Sequence, residues 1–388
     1  GIIALCGALT YAEIGSRYPV TGGYYRVFSY AYHPSLAFAL NCSILLSNAA
    51  SIAGVALIGS GYILPVFFVH PTQQMTQGVA VLAIVIFYGI NVLGLRMSAT
   101  AENILMTIKV LMLLALIAAL FFPASYASDN VPFFSSGDKG WKDIISSFGL
   151  CLVAVSFTYG GYQQTINFGS EVSNARRTIP KGIFIGIIVI FLLYLLTNIA
   201  YYSVIGFNQL KESREIASIV IGKVFGDFGA KSFSVLLFFS VLAFVNVNLL
   251  SNPRVMYAMS EDGALPARFQ KKSESKGVYT VSLAVFSLMA IVVVFFAETF
   301  ERILAFSMFL DSFGMVTSAA SIFKLRKETK HLDNEVYKMK WYPLLPLVFI
   351  AGYVLVCIVV IISRPTIALT GFAFLIGFGL LYFAVRRR

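Results

Sequence analysis

Residues 148–180 combine an apolar helical pattern with backbone groups that can bind a ligand. The pattern is interrupted at Tyr159, Gly160 and Gly161, and paired glycines at that depth free backbone N–H and C=O groups that lipid cannot satisfy. Such a break is tolerated where it is buried in protein or lines a cavity, and in membrane transporters that cavity is a substrate site. The alternative interpretation is a glycine kink that only lets neighbouring helices pack closely.

Polar and charged residues within other apolar stretches are a second group of candidates. Lys109 lies near the middle of the stretch 100–122, where its ammonium group cannot easily reach water and must face the protein interior. Asp311 also lies within an apolar stretch, where we interpret it as a structural hydrogen-bonding residue or a functional one. Three asparagines of one stretch are expected to hydrogen-bond between helices: Asn246, Asn248 and Asn252.

Charged residues at the ends of apolar stretches form a third group. Glu13 and Glu171 each follow an apolar run, and Arg176, Arg177 and Arg254 occupy similar positions. We expect both acids to pair with these arginines rather than to bind a ligand. The sequence therefore predicts a closure at this side of the membrane, an inner gate formed by Glu171, Arg176 and Arg177.

The elements that position these residues are membrane helices. The chain has 388 residues, of which 58% are hydrophobic and 12% charged, whereas a soluble domain carries about 25% charged residues. A criterion of roughly 20 apolar residues per crossing gives about ten complete spans and a partial one before Glu13. The complete spans are 34–62, 76–94, 100–122, the interrupted 148–180, 182–205, 233–259, 278–296, 303–323, 342–362 and 366–385.

The net charge of +11 is explained by membrane topology and does not indicate a nucleic-acid partner. Most of the 29 lysines and arginines fall in alternate links, which predicts that those links and the C-terminus are cytoplasmic. No sequence motif for a catalytic nucleophile, a metal site or a phosphate-binding loop is found, so we expect neither an enzyme nor a cofactor. The four cysteines lie singly in apolar runs and do not form a metal or disulfide framework.

Four segments, in this order, resemble the L-type amino acid transporters of the amino acid–polyamine–organocation superfamily. They are 8–28 (ALTYAEIGSRYPVTGGYYRVF), 91–110 (NVLGLRMSATAENILMTIKV), 157–183 (FTYGGYQQTINFGSEVSNARRTIPKGI) and 252–269 (NPRVMYAMSEDGALPARF). The resemblance implies an all-α integral membrane protein of the LeuT type, with two inverted five-helix repeats whose first and sixth helices are broken.

By this resemblance the partial helix is the second helix and the interrupted one is the sixth, so we expect a chain truncated before residue 1 that lacks the first helix. We expect a single permease domain over residues 1–388. It is divided into the rest of the first repeat (1–122), the second repeat (143–325) and the last two helices (342–385).

The resemblance also implies roles for residues of this chain. The substrate-binding residues would be Phe157, Thr158, Tyr159, Gly160, Gly161, Tyr162 and Gln163. The carbonyl groups at 157–159 would receive the substrate ammonium, and the Phe157 ring would close over the substrate. Lys109 would occupy the place of a sodium ion, near Asn248 and Ser251, or would serve in proton coupling; an interhelical hydrogen bond without a transport role is the alternative.

The implied function is secondary active transport of amino acids, probable substrates being neutral L-amino acids, by sodium-independent exchange or proton symport in the cell membrane. The expected partners are the amino acid and the lipid bilayer. No disulfide-linked partner is expected, because no cysteine falls in a predicted outer loop. The alternatives are a cationic amino acid or polyamine carrier, which would need acids near the site, where 155–170 has none, a sensor with the same fold, or an inactive fragment.

Overall fold

Long apolar runs without two-residue alternation fold as helices, because a helix satisfies its own backbone within lipid. The computed structural model describes residues 1–121, 140–213, 216–296 and 300–386. The α-helices of these residues are α1 (Ile2–Arg17), α2 (Gly23–Ala31), α3 (Pro34–Phe67), α4 (Gln73–Leu93), α5 (Leu95–Ala118), α6 (Trp141–Thr158), α7 (Ala175–Glu212), α8 (Ile216–Glu261), α9 (Thr280–Phe296), α10 (Phe300–Glu328), α11 (Leu344–Ser363) and α12 (Pro365–Arg386).

Short elements connect several of these helices. The 3₁₀ helices are Ala119–Phe121, Tyr162–Asn167, Ala267–Gln270 and Lys330–Leu332. Two short antiparallel strands, β1 (Lys272–Ser273) and β2 (Val278–Tyr279), pair between α8 and α9 with Lys272 opposite Tyr279.

The all-helical, multi-span architecture is confirmed. Within the described ranges, 8 helices are long and apolar enough to cross a membrane. α9 is a shorter apolar helix of 17 residues, and α6 is the 18-residue first half of the interrupted helix. The arrangement as two inverted repeats remains a prediction.

Helix α3 lies at the centre of the molecule, packed against α4, α8, α9, α10 and α12. In its apolar window 78% of the residues are buried, whereas the figure is 22% for α5 and for α7, whose outer faces therefore contact lipid. Small and polar side chains on α3, such as Ser47, Asn48 and Ser51, are buried and let its neighbours approach closely.

Glycines set the helix boundaries that differ from the predicted ones. We expected a turn over 91–103, but Gly94 alone separates α4 from α5, because its φ of 136° reverses the chain within one residue. The segment 206–228, expected as a loop, is largely helical, with kinks at Gly206 (φ 74°) and Gly226 (φ 72°). The loop predicted at 123–143 lies mostly outside the described residues.

Candidate functional site

The predicted interruption of the sixth helix is confirmed at the backbone. α6 ends at Thr158, and the chain continues as the 3₁₀ helix Tyr162–Asn167. Gly161, between the two, has a φ of 119°, which residues with a side chain rarely adopt. Its N–H donates to Oε1 of Gln163 at 2.8 Å, and the N–H of Gly160 donates to the carbonyl of Phe157 at 3.2 Å. The break is therefore an ordered turn.

A cavity of about 210 Å³ lies beside this break. Residues of α3, α5, α8, α10 and α11 complete its wall. Part of the wall is apolar, including Phe157, Phe244 and Met308, and the rest is polar. The polar and charged lining includes Glu102, Lys109, Gln163, Gln164, Asn248 and Asp311. An enclosed space with an apolar side and a few polar groups is the usual form of a small-molecule site.

Five of the predicted site residues line this cavity: Phe157, Gly160, Gly161, Gln163 and Lys109. They come from the break and from α5, which are far apart in sequence. The Phe157 ring lies 6.1 Å from the Phe244 ring of α8, centroid to centroid, so aromatic side chains from two helices form one apolar side of the space.

Thr158, Tyr159 and Tyr162 do not line the cavity. The Thr158 carbonyl accepts from the Tyr194 hydroxyl of α7 at 3.1 Å, and the Tyr159 ring meets the Tyr194 ring edge-on at 5.3 Å. The Tyr162 ring packs instead 5.8 Å from the ring of Tyr11 in α1. Neighbouring residues at a helix end point to different sides, which a sequence motif does not separate.

Lys109 and Asp311 are the predicted charged residues of the cavity wall. Lys109 lies on α5 and forms no hydrogen bond or ion pair with any residue that the structure describes. Asn248 shares the cavity with it, but the Ser251 hydroxyl donates to Gln164 at 2.9 Å. Asp311 of α10 interacts with Ser47 of α3. The two side chains leave charge available to a ligand.

Asparagines join the helices behind the cavity, as predicted for Asn246 and Asn252. Asn246 is fully buried; its Nδ2 donates to Glu102 at 2.8 Å and its Oδ1 accepts from Asn91 at 2.9 Å, which links α4, α5 and α8. Asn252 accepts from Asn48 at 2.7 Å. Sequence reasoning missed Glu102, although an acid seven residues before Lys109 on the same helix was a usable signal.

The predicted pairing of Glu171 with an arginine is confirmed for Arg254. Two hydrogen bonds, of 2.9 and 2.8 Å, join the guanidinium to the two carboxylate oxygens. The guanidinium also lies 4.5 Å from the centre of the Phe168 ring. The structure places Arg176 in an ion pair with Glu335 instead, and Arg177 is exposed at the start of α7.

Glu13 pairs with other arginines than expected. Its carboxylate accepts from Arg17 at 2.8 Å and from Arg326 at 2.7 Å through each oxygen. The prediction of Arg176, Arg177 or Arg254 was wrong because the end of α10, distant in sequence, packs beside the end of α1. Arg17 also donates to Asp333 in the next loop, and hydrogen bonds from Lys338 and Arg17 lower the pKa of Asp333 to about 2.

Comparison with known proteins gives a consistent result. A family model described as amino acid permease matches residues 1–385. The serine/threonine exchanger SteT of Bacillus subtilis is 25% identical over 354 residues, covering 91% of this chain and 79% of the exchanger. The b(0,+)-type amino acid transporter 1 of Mus musculus is 28% identical over 271 residues, covering 68% and 54%. The cystine/glutamate transporter of Homo sapiens is 26% identical, covering 69% and 53%. The chain spans about half the length of these two mammalian relatives.

The buried Glu13 cluster should contribute strongly to stability. We expect Glu13→Gln to lower the free energy of unfolding by about 3–5 kcal/mol, because it leaves buried arginine charge without compensation. Glu335→Gln is the matched control: its pair with Arg176 is exposed (62% for Glu335), so a change within about 1 kcal/mol is expected. Unfolding of both variants in detergent measures the difference, and equal losses would contradict the assignment.

Proposed function

The chain belongs to the amino acid permease family, and on that premise we propose that it is a secondary active transporter of neutral L-amino acids. Transport would be independent of sodium, by exchange or proton symport. The observation that carries the proposal is the cavity at the helix break, where Gly160 and Gly161 bring the backbone close to the same space as Lys109.

The two sides of the cavity suit the two parts of an amino acid. Polar groups at Gln163, Gln164 and Lys109 can bind the ammonium and carboxylate ends of the substrate. Phe157, Phe244 and Met308 provide the apolar side for an uncharged side chain. We place Thr158, Tyr159 and Tyr162 outside direct substrate contact in this conformation and assign them to holding the break against α7 and α1.

Alternating access would use the two ends of this site. The Phe157 ring would close the outer end over the substrate. The bidentate pair of Glu171 and Arg254 would close the cytoplasmic end, with Arg176 joined to that side through Glu335. Because the Glu171 side chain is 25% exposed, water can replace its partner when the pair opens.

A carrier of cationic amino acids or polyamines is the second candidate. Residues 155–170 contain no acid, but α5 and α10 bring Glu102 and Asp311 into the cavity wall. Two carboxyl groups facing one small space would favour a cationic substrate side chain.

Uptake into liposomes by the full-length protein tests the proposal. Preloaded liposomes should exchange radiolabelled L-amino acids with and without sodium at equal rates. Neutral amino acids should compete better than lysine, arginine or a polyamine. Preferential competition by the cations would favour the second candidate, and a requirement for sodium or no exchange above empty liposomes would contradict the proposal.

Lys109→Ala should abolish or strongly reduce uptake with normal protein yield, because it removes a cation from the cavity wall. Lys223→Ala, at an exposed position of α8, is the control and should transport like the wild type. Wild-type rates for Lys109→Ala at every pH tested would reduce Lys109 to a structural residue.

Removing the Glu171 carboxylate should open the cytoplasmic end. In a protein without native cysteines, Ser156→Cys places a thiol in the cavity wall. We expect Glu171→Gln to increase its labelling from the cytoplasmic side several-fold, and adding Arg254→Gln to have little further effect because the pair is coupled. Glu261→Gln, which breaks the pair of Glu261 with Arg26, is the control. Unchanged labelling in Glu171→Gln would refute this gate.

A further inference from the structure

Glu102 is a second charged side chain of α5 that faces the cavity. It lies seven residues before Lys109, which places the two on one face of the helix about 10 Å apart along its axis. Both side chains line the same space. Glu102 lies between Lys109 and Leu95, the first residue of α5, on the side that the distribution of basic residues predicts to be cytoplasmic.

A fixed amide network positions the Glu102 carboxyl. Oε2 accepts from Nδ2 of Asn246 at 2.8 Å, and the same Nδ2 donates to the Ser98 carbonyl at 3.1 Å. Oδ1 of Asn246 accepts from Asn91. Each polar atom of the Asn246 amide thus has a partner. Because Oε2 only accepts, the network is the same whether Glu102 is ionised or protonated at its other oxygen, which forms no hydrogen bond with the described residues.

The charged surroundings of Glu102 are few. From α4 and α8 the facing groups are the uncharged amides of Asn91 and Asn246. The other titratable side chains of the cavity wall are Lys109 on the same helix, Asp311 on α10 and Tyr353 on α11. The described part of α7 contributes none to the cavity wall.

No basic group lies within ion-pair distance of Glu102 among the described residues. An ionised carboxylate without such a partner is costly in a nonpolar environment, and protonation removes that cost. The charge of Glu102 can therefore follow the contents of the cavity without any change in the packing around it.

We propose that Glu102 is the proton-binding residue through which amino acid transport is coupled to protons, an inference that rests on the function proposed above. The proton comes from water in the outward-open cavity and binds the free oxygen of Glu102. It leaves to cytoplasmic water when the cavity opens inward, so one proton moves with each amino acid. Lys109 keeps a separate role, because Glu102 has its own amide support.

The full-length protein in liposomes tests this with Glu102→Gln, whose amide oxygen still accepts from Asn246. The probe is a mixture of tritiated proteinogenic L-amino acids. Exchange without a pH difference should persist in the wild type and in the variant. Acidifying the outside should increase net uptake several-fold in the wild type and leave it unchanged in Glu102→Gln. Glu261→Gln, a distant carboxylate, should respond like the wild type.

The outcomes separate the two proposals. A wild type that exchanges nothing refutes the transport function. A wild type that exchanges but ignores the proton gradient, or a Glu102→Gln variant that responds to it, overturns the role of Glu102. If Glu102→Gln does not transport, binding of the same probe to purified protein at two pH values decides. Loss of the wild-type pH dependence supports the proposal, and its persistence overturns it.

Discussion

The constraint on which the structure depends is the need to satisfy backbone groups that the helix break exposes inside a membrane. Lipid offers no hydrogen-bonding partners, and each unsatisfied group costs several kcal/mol. The break solves this locally: Gly161 donates to the Gln163 side chain, Gly160 donates to Phe157, and the Thr158 carbonyl accepts from Tyr194. The turn is thereby fixed with its two glycines against the cavity, so the position of the site follows from the repair of the backbone.

Charge is distributed differently at the two depths of the molecule. At the predicted cytoplasmic end, Glu13 and Glu171 are each held by arginines through several hydrogen bonds. In the cavity wall, Glu102 and Lys109 form no ion pair with any described residue. Paired charges hold helices together, whereas charges that face a cavity without an ionic partner can respond to a ligand or a proton. Stability and transport thus use separate sets of ionisable side chains.

Local patterns in the sequence predicted the features that depend on neighbouring residues. The break at 159–161, the membrane helices, the asparagine contacts and the Glu171 pair follow from glycine, apolar length and charge position, and the family predicted from four motifs is confirmed. The features that were missed depend on packing between distant segments. Arg326 reaches Glu13 only because α10 ends beside α1, and Glu102 enters the site only through the register of α5.

A structure of the full-length protein in lipid, determined with and without the amino acid that it transports, tests the central claim most directly. The bound amino acid should occupy the cavity between the break and α5, with polar atoms about 3 Å from the backbone of Gly160 or Gly161 or from the Gln163 side chain. An amino acid bound elsewhere, with this cavity unchanged between the two structures, would contradict the assignment of the site.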